Sequence, residues 1–199
     1  MQPAYYENFD EIIKKIWLML NDAATNRSSQ FRIPVFICGI QNDFDGRIVV
    51  LRKSDQDNNL IQFHSDIRSD KIEKLKSNNR ASLIFYDKEE KIQVRAKVEC
   101  IVNHKNEITE QSWLKTAHIS RKCYLVDNGP GTESGEPTSG LKPEKDNFDY
   151  TMEESEKGYE NFTVIQCKVK SFEWLYLAAK GHRRARFDLE NDKRVWLVP

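Results

Sequence analysis

The chain has 199 residues, of which 39% are hydrophobic and 31% are charged, a composition typical of a globular protein with a sizeable core. Its 31 basic and 31 acidic residues give a formal net charge of zero, which argues against nucleic acid or an anionic membrane as a main partner. No apolar run approaches the roughly 18 residues of a membrane span, so none is expected.

The four cysteines are scattered along the chain without CxxC or other paired spacing. Neither a zinc site nor a disulfide framework is therefore expected, and no metal is predicted. The first residues, MQPAYYENFDEIIKKIW, carry acids early and do not read as a secretory signal. We interpret the cysteines as reduced, mostly buried thiols of a cytoplasmic protein. They are Cys38, Cys100, Cys123 and Cys167.

The first third of the chain changes from helical to strand periodicity. Apolar residues at helical spacing predict an amphipathic helix from about Glu7 to Ala24. Three segments rich in β-branched and aromatic residues follow, separated by NDFDG and SDQDNN, which predict turns. These three strands are predicted at Phe31–Ile40, Arg47–Lys53 and Leu60–Ser65.

The rest of the chain alternates short helices with further strands. Helices are predicted at Arg68–Lys76 and Glu107–Ala117, and strands at Ala81–Tyr86, Lys91–Val102, Asn161–Leu177, Arg184–Asp188 and Val195–Val198. Gly, Pro, Ser and acidic residues dominate 127–158, which predicts a long flexible loop that is functional or disordered. Closely spaced antiparallel strands favour a closed β-barrel with peripheral helices, built as a single domain over 1–199.

Known catalytic motifs do not occur in the sequence, and its four histidines are far apart, so no catalytic residue is assigned. Cations instead cluster where strands end and where the helix at Arg68–Lys76 begins. Several cations at a helix start are a good cradle for a phosphate group. Taken singly, each cation could equally reach solvent or pair with one of the many acids. The cluster comprises Arg47, Arg52, Arg68, Lys71, Arg95, Arg183, Arg184 and Arg186.

Four segments in order resemble the pyridoxamine-5'-phosphate-oxidase-like FMN-binding family: RIVVLR, FHSDIRSDK, IQVRAKVE and W-LYLAAKGHRRARF. The resemblance extends from about Phe31 to Pro199, except for the long loop. It implies an antiparallel, Greek-key-like FMN-binding split β-barrel. It also implies a homodimer whose site lies at the interface and accepts a small-molecule substrate.

The resemblance also implies which residues bind the cofactor. Gln93 offers both a donor and an acceptor to a flavin ring. Arg47 and Arg52 would face opposite sides of an ideal strand, so either a bulge intervenes or one contributes only its backbone. The implied FMN-binding residues are Arg47, Ile48, Val49, Val50, Leu51, Arg52, His64, Ser65, Arg68, Ser69, Lys71, Gln93, Trp174 and Arg186. Arg121, His182 and Arg183 are the candidate substrate-binding residues.

Departures from the family pattern affect the expected activity. Asp70 replaces an arginine beside the expected phosphate, although Arg68 could compensate. Ala117 and Leu125 replace two partners of the substrate phosphate, and Ala185 replaces a histidine. We therefore expect an FMN-dependent oxidoreductase that is a poor pyridoxamine 5'-phosphate oxidase.

Three alternatives remain open at this stage. One is a flavin-binding or flavin-storing protein without turnover. Another is a relative that binds haem or another ligand. In the third, the long loop brings new donors to the substrate, such as Thr132, Ser134 or Lys142.

Overall fold

The computed structural model describes residues 5–40, 43–141 and 150–199. Within these ranges, nine strands form one sheet: β1 (Val35–Ile40), β2 (Asp43–Ile48), β3 (Leu51–Asp55), β4 (Leu60–Asp66), β5 (Arg80–Asp87), β6 (Ile92–Asn103), β7 (Phe162–Tyr176), β8 (Arg183–Asp188) and β9 (Lys193–Leu197). The α-helices are α1 (Phe9–Thr25), α2 (Asp70–Ser77), α3 (Glu107–Leu114), α4 (His118–Arg121) and α5 (Met152–Ser155). Short 3-10 helices cover Gln30–Arg32, Lys122–Tyr124 and Glu156–Asn161.

All strand pairs are antiparallel, and the long strand β7 organises the sheet. Strand β6 pairs with β7 along its length, whereas β4 pairs with the first half of β7 and β8 with the second. The strand order is β2-β1-β5-β6-β7-β4-β3, and β8 and β9 extend the sheet beyond β7. The mainly antiparallel split-barrel architecture expected from the sequence is confirmed.

The sheet is not closed, so the expectation of a closed barrel is wrong. Strands β2 and β3 lie at the two ends of the strand order, and they are not hydrogen-bonded to each other in the described ranges. Helix α1 packs against β3. Covering an edge with a helix protects it from unwanted pairing, as closure of a barrel would.

Helix α1 forms as its sequence predicts and supplies one side of the core. The Asn8 side chain accepts hydrogen bonds from the first backbone N–H groups of the helix, which stabilises its start. Ile12, Ile16 and Leu20 are fully buried, and the Trp17 ring meets Phe172 of β7 edge-on at 5.3 Å. None of the described helices is long and apolar enough to cross a membrane.

Two local predictions are wrong around β2. The segment NDFDG, predicted as a turn, contributes Asp43 onward to β2, because pairing with β1 outweighs the low β-propensity of Asp and Gly. The strand predicted over Arg47–Lys53 is broken at Val49 and Val50 into the end of β2 and the start of β3. The register of β3 on β4 then shifts between Leu51 and Lys53. This irregularity at Arg52 is the bulge that the spacing of the two arginines allowed.

The segment predicted as a long loop over 127–158 contains regular structure at its end. Helix α5 begins after Thr151, which forms a capping box with Glu154. Tyr150, just before this helix, is buried, and a 3-10 helix over Glu156–Asn161 leads directly into β7. The predicted donors Thr132 and Ser134 lie in irregular, exposed chain, whereas Lys142 lies outside the described residues.

Candidate functional site

A cavity of about 310 Å³ lies where the break between β2 and β3 meets the end of β4 and the start of α2. We call it the cradle cavity. Val49 and Val50, which lie between the end of β2 and the start of β3, bring the backbone to the cavity wall. Its lining is Arg47, Ile48, Val49, Val50, Arg52, His64, Ser65, Asp66, Lys71, Cys123, Tyr124 and Pro130. Eight of the fourteen residues predicted to bind the cofactor, Lys71 included, thus line one cavity.

Lys71 supplies a buried cation to the cradle cavity. It is 8% exposed, and its Nζ donates to Ser65 Oγ at 2.9 Å and to Ser69 Oγ at 2.7 Å. Burial, together with repulsion from Arg47, lowers the pKa of Lys71 to about 8. Its hydroxyl partners carry no charge, so an anion would stabilise its protonated form.

Arg47 faces the start of α2 and is held there by acids of this chain. Its Nη1 and Nη2 donate to the two carboxylate oxygens of Asp70 at 2.9 and 3.2 Å, and it also pairs with Asp45. The hydrogen bond from Arg47 lowers the pKa of Asp70. Arg47 Nε is buried and has no partner within the described residues. The carboxylate of Asp70 therefore occupies a position beside Ser69 and Lys71 that suits a phosphate oxygen.

Arg68 does not line the cradle cavity, although the sequence places it beside Ser69. Its guanidinium donates to Asp66 at 2.9 and 2.7 Å, and to the carbonyl oxygens of Val126 and Asp127 at 3.1 and 3.0 Å. These bonds tie the segment after α4 to the end of β4. Arg68 thus positions the wall that contains Tyr124 rather than compensating for Asp70.

Arg52 and His64 form the far side of the cavity. The imidazole of His64 meets the Phe162 ring edge-on at 4.8 Å, and burial, reinforced by the nearby charge of Arg52, lowers its pKa to about 3. His64 is therefore neutral at physiological pH. The Arg52 guanidinium is exposed and has no ion-pair partner in the part of the chain that the structure describes.

Residues 16–104, from within α1 to just beyond β6, match the family model described as pyridoxamine 5'-phosphate oxidase, FMN-binding domain. This segment is therefore similar to that FMN-binding domain family. The match includes α2, which carries Lys71, and the strands that carry Arg47 and Ser65. No curated protein matches the chain significantly.

Solved structures extend the likeness in fold to the whole chain. A pyridoxamine 5'-phosphate oxidase-related, FMN-binding protein from Nostoc punctiforme PCC 73102 superposes with a TM-score of 0.72 at 15% identity, covering 100% of both chains. PhzG from Burkholderia lata 383, solved with tetrahydrophenazine-1-carboxylic acid, gives 0.71 at 15% identity and covers 100% of this chain and 98% of its own. A Clostridium acetobutylicum protein related to general stress protein 26 gives 0.53 at 12% identity, covering 90% and 99%.

The donor set of the cradle cavity fits the phosphate of the family's cofactor, FMN. Lys71 Nζ lies within hydrogen-bond distance of the hydroxyls of Ser65 and Ser69, at the start of α2. The unpartnered Nε of Arg47 adds a further donor. Two acids oppose an anion there, Asp70 and the cavity-lining Asp66, and Asp66 is paired with Arg68.

Six of the fourteen predicted cofactor residues do not line the cradle cavity, among them Trp174, Gln93 and Arg186. Trp174 is 0% exposed in the core and stacks near Tyr176, whereas Gln93 and Arg186 face away from the core. His64 pairs with Val164 on β7 and Gln93 pairs with Leu175, eleven residues further along, which corresponds to about 35 Å of extended strand. One chain therefore does not bring Gln93 to its own cradle cavity.

The remaining predicted residues also lie elsewhere. Leu51 is buried in the core beside the cavity, and Ser69 contributes through its bond to Lys71. His182 Nδ1 accepts from Ala178 N at 3.0 Å, and Arg183 pairs with Glu7 at 3.2 Å near the end of β9.

Arg121 is 2% exposed and donates to the carbonyl oxygens of Trp113 and Thr116 at 2.9 and 3.1 Å and to Glu156. Its guanidinium lies over the Trp113 ring at 4.5 Å. It ties the end of α3 to the segment after α5, and its burial keeps the guanidinium away from a substrate.

Sequence reasoning missed four wall residues, Asp66, Cys123, Tyr124 and Pro130. Asp66 is adjacent to Ser65, and its place in FHSDIRSDK was a signal that it shares the site. Cys123, Tyr124 and Pro130 come from the segment after α4, and no local sequence pattern predicts that this segment packs near the end of β4.

Proposed function

We propose that the protein binds FMN in the cradle cavity and acts as an oxidoreductase on a small molecule. The observation that carries the proposal is the buried cation Lys71 at the start of α2, which donates to the hydroxyls of Ser65 and Ser69 and forms no ion pair within the described residues. A phosphate would complete this set with charge-assisted hydrogen bonds, each worth about 1.5–3 kcal/mol. The match of residues 16–104 to the model of an FMN-binding domain family supports the same cofactor.

The bound flavin would supply the hydride chemistry, and the chain would supply binding, orientation and electrostatics. Lys71, Ser65 and Ser69 would hold the phosphate, and the backbone around Val49 and Val50 would lie against the rest of the cofactor. His64 stays neutral, because its pKa of about 3 lies far below physiological pH. It can therefore offer an uncharged donor or acceptor without changing charge.

A homodimer would complete the site. Gln93 and Arg186 match positions that surround FMN in the family, yet both lie on β-strand faces remote from the cradle of their own chain. A second copy related by a two-fold axis could present them to that cradle. We further assign the protein to the cytoplasm, which agrees with four free cysteines, three of them buried.

The substrate would differ from pyridoxamine 5'-phosphate. Ala117 and Leu125 have no side-chain donor for a substrate phosphate, and Arg121 is committed to Trp113, Thr116 and Glu156. Losing two charge-assisted contacts costs about 3–6 kcal/mol, or roughly two to four powers of ten in catalytic efficiency. An assay of pyridoxal 5'-phosphate formation should give turnover far below that of an authentic oxidase.

Titration of the apo-protein with FMN, FAD and riboflavin tests the cofactor assignment. FMN should bind best, because only its terminal phosphate can reach Lys71 as a dianion. Equal affinity for FMN and riboflavin would refute the proposal. Oxygen uptake by the FMN-loaded protein with candidate reductants then separates an enzyme from a flavin store, and a haem spectrum on purification would identify a different ligand.

A further inference from the structure

Two buried thiols meet where the two longest strands, β6 and β7, pair with each other. Cys100 of β6 is the direct partner of Cys167 on β7, and their Sγ atoms are 3.6 Å apart. Cys100 is 5% exposed and Cys167 is fully buried, and both belong to the main hydrophobic core. Both thiols are free. We call Cys100 and Cys167 the thiol pair.

The backbone at the thiol pair has the closer of the two spacings found in antiparallel sheets. Cys100 N donates to the carbonyl oxygen of Asn79, directly before β5, at 2.7 Å, so the Cys100 backbone faces β5 and not β7. On β7, Val169 N donates to Asn59 O at 2.8 Å, so Val169 and, two positions earlier, Cys167 face β4. The thiol pair therefore exchanges no backbone hydrogen bonds. Cα atoms in such a pair are about 4.5 Å apart, within the range of about 4.4–6.8 Å that a disulfide spans.

The other two cysteines are not placed to compete for this link. Cys38 of β1 lies opposite Ala81 of β5, and Ala81 lies opposite Val98 of β6. Cys38 is thus two strands away from β6, about 9–10 Å, which is too far for a disulfide with Cys100. Cys123 is exposed at the wall of the cradle cavity, whereas both members of the thiol pair are buried in the core. The fold therefore brings one particular pair together out of four thiols.

The two members of the thiol pair differ in access. Cys100 keeps a small exposed surface, and its N–H is bonded to the short connection between α2 and β5. Cys167 has no exposed surface, and burial holds its pKa well above the usual range of a thiol. A small oxidant can therefore reach Cys100 first, whereas Cys167 needs to meet only the Cys100 sulfur that it already contacts.

We propose that the thiol pair is a peroxide-sensitive modification site, in which Cys100 is oxidised by hydrogen peroxide and Cys167 closes a reversible disulfide. The Cys100 sulfur attacks one peroxide oxygen, the O–O bond breaks, and the departing hydroxide takes the Cys100 proton, which gives a sulfenic acid and water. The Cys167 sulfur then attacks the Cys100 sulfur. The S–S bond forms, the S–O bond breaks, and hydroxide leaves with the Cys167 proton as water. Two thiols lose two electrons, and one peroxide is reduced to two waters.

The disulfide closes a long excursion of the chain near its base. Between β6 and β7 the chain forms α3, α4 and α5, and the thiol pair joins the two strands on either side of them. A cross-link of this kind stabilises a protein mainly by restricting the unfolded chain. The oxidised protein should therefore unfold at a urea concentration about 1 M higher than the reduced protein.

Thiol counting and mass spectrometry of the folded protein test the proposal. A Cys123→Ser background removes the exposed thiol that could link two chains and leaves three of the four free thiols. The protein is treated with rising peroxide concentrations, up to the one at which methionine oxidation first appears. The thiol count should fall from three to one, and the mass should fall by about 2 Da. A non-reduced digest should contain a peptide that joins Cys100 to Cys167, and dithiothreitol should restore the three thiols.

Two further alanine variants in this background are matched controls, because each shortens one buried cysteine. Cys38→Ala keeps the thiol pair, so its mass should again fall by about 2 Da on oxidation. Cys167→Ala removes the second thiol, so the sulfenic acid on Cys100 should persist and be trapped by dimedone. Peptide mapping of the background protein needs neither variant, so a failure of Cys167→Ala to fold leaves the test intact.

The inference is overturned if the three thiols survive until methionine is oxidised, if the linked peptide contains Cys38, or if the disulfide forms only after the chain is unfolded in urea. A disulfide that lowers the urea midpoint contradicts the stabilising role. None of these measurements requires a flavin, so their outcome is independent of the proposed FMN-dependent function.

Discussion

Lys71 makes the preference for FMN over riboflavin depend on pH. Its pKa in the folded protein is about 8, below the ordinary 10.5, because burial and Arg47 disfavour the charged form. A bound phosphate favours that form, so above about pH 8 binding must take up a proton. The ratio of riboflavin to FMN dissociation constants should therefore fall by up to about tenfold per pH unit between pH 8 and 10.5. Fluorescence titrations with both flavins measure it.

The Lys71→Met variant is the control for this pH dependence. It should show a low FMN preference that no longer changes above pH 8, because the titrating group is gone. A preference that falls equally in both proteins would assign the pH dependence to another group. The effect of Lys71 on the stability of the apo-protein has the opposite pH dependence. Between pH 8 and 10.5 Lys71 is protonated in the unfolded chain and mostly neutral in the folded one, so the free energy of unfolding rises with pH over this interval.

Asp70 competes with the cofactor phosphate for Arg47. Replacement by asparagine keeps the size of the side chain but removes the charge that sits beside Ser69 and Lys71. We expect Asp70→Asn to raise the affinity for FMN about tenfold and to leave that for riboflavin unchanged. Glu73→Gln, which removes an exposed acid from the same helix, should change neither. An unchanged FMN affinity in Asp70→Asn would show that Asp70 and the phosphate do not meet.

The cradle could be predicted at the residue scale because most of it is local. Ser65, Ser69 and Lys71 lie within one strand end and one helix start, where a motif and a helix terminus point to the same chemistry. The ion pair between Arg47 and Asp70 could not be predicted, since it joins two elements whose packing no short pattern specifies. The same holds for Arg68, whose partners include carbonyl groups almost sixty residues away.

At the scale of elements, Arg121 holds α3 and α5 in place. Its buried guanidinium satisfies two backbone carbonyls and lies over Trp113, so a methionine would leave these acceptors unpaired. We expect Arg121→Met to lower the free energy of unfolding by about 2–4 kcal/mol, measured by urea denaturation. Arg80→Met, at an exposed position of β5, should change it by less than about 0.5 kcal/mol. Unchanged stability in Arg121→Met would contradict the structural role.

Helices and long strands could be predicted from periodicity, whereas β2 and the bulge could not. Alternating burial in β6 follows directly from its sequence. The polar sequence of β2 has no such pattern, and its strand conformation depends on pairing with β1. The bulge at Arg52 could not be predicted either, because it depends on how β3 and β4 pair with each other and not on the sequence of β3 alone.

At the scale of the whole molecule, a shared site predicts complementation between two defective chains. Lys71→Met damages the cradle, and Arg186→Glu damages the face that a partner would present. Each variant alone should bind FMN poorly. Refolded together in equal amounts, they should regain about a quarter of the sites, because half of the dimers are mixed and each has one intact site.

Light scattering provides the companion measurement for the complementation experiment. The FMN-loaded protein should have about twice the chain mass of 23.4 kDa. No gain on mixing, or a monomer that still retains FMN, would contradict a site built from two chains. The open sheet could not be foreseen from the strand pattern, because whether the end strands pair depends on what else covers them.

The cradle cavity and the neighbouring cavity of about 480 Å³ between α3 and the strands β3, β4 and β7 share Arg52 and His64 but are otherwise lined by different residues, which has an evolutionary consequence. The cradle is lined by the break between β2 and β3, the end of β4, Lys71 of α2 and the segment after α4, whereas α3 and the residues that follow it line much of the other cavity. Arg121 and Trp113 anchor α3 from beneath, so Gln111 or Lys115 can mutate without disturbing the fold. Descendants of such a chain can inherit the cofactor unchanged while diverging in the molecules on which they act.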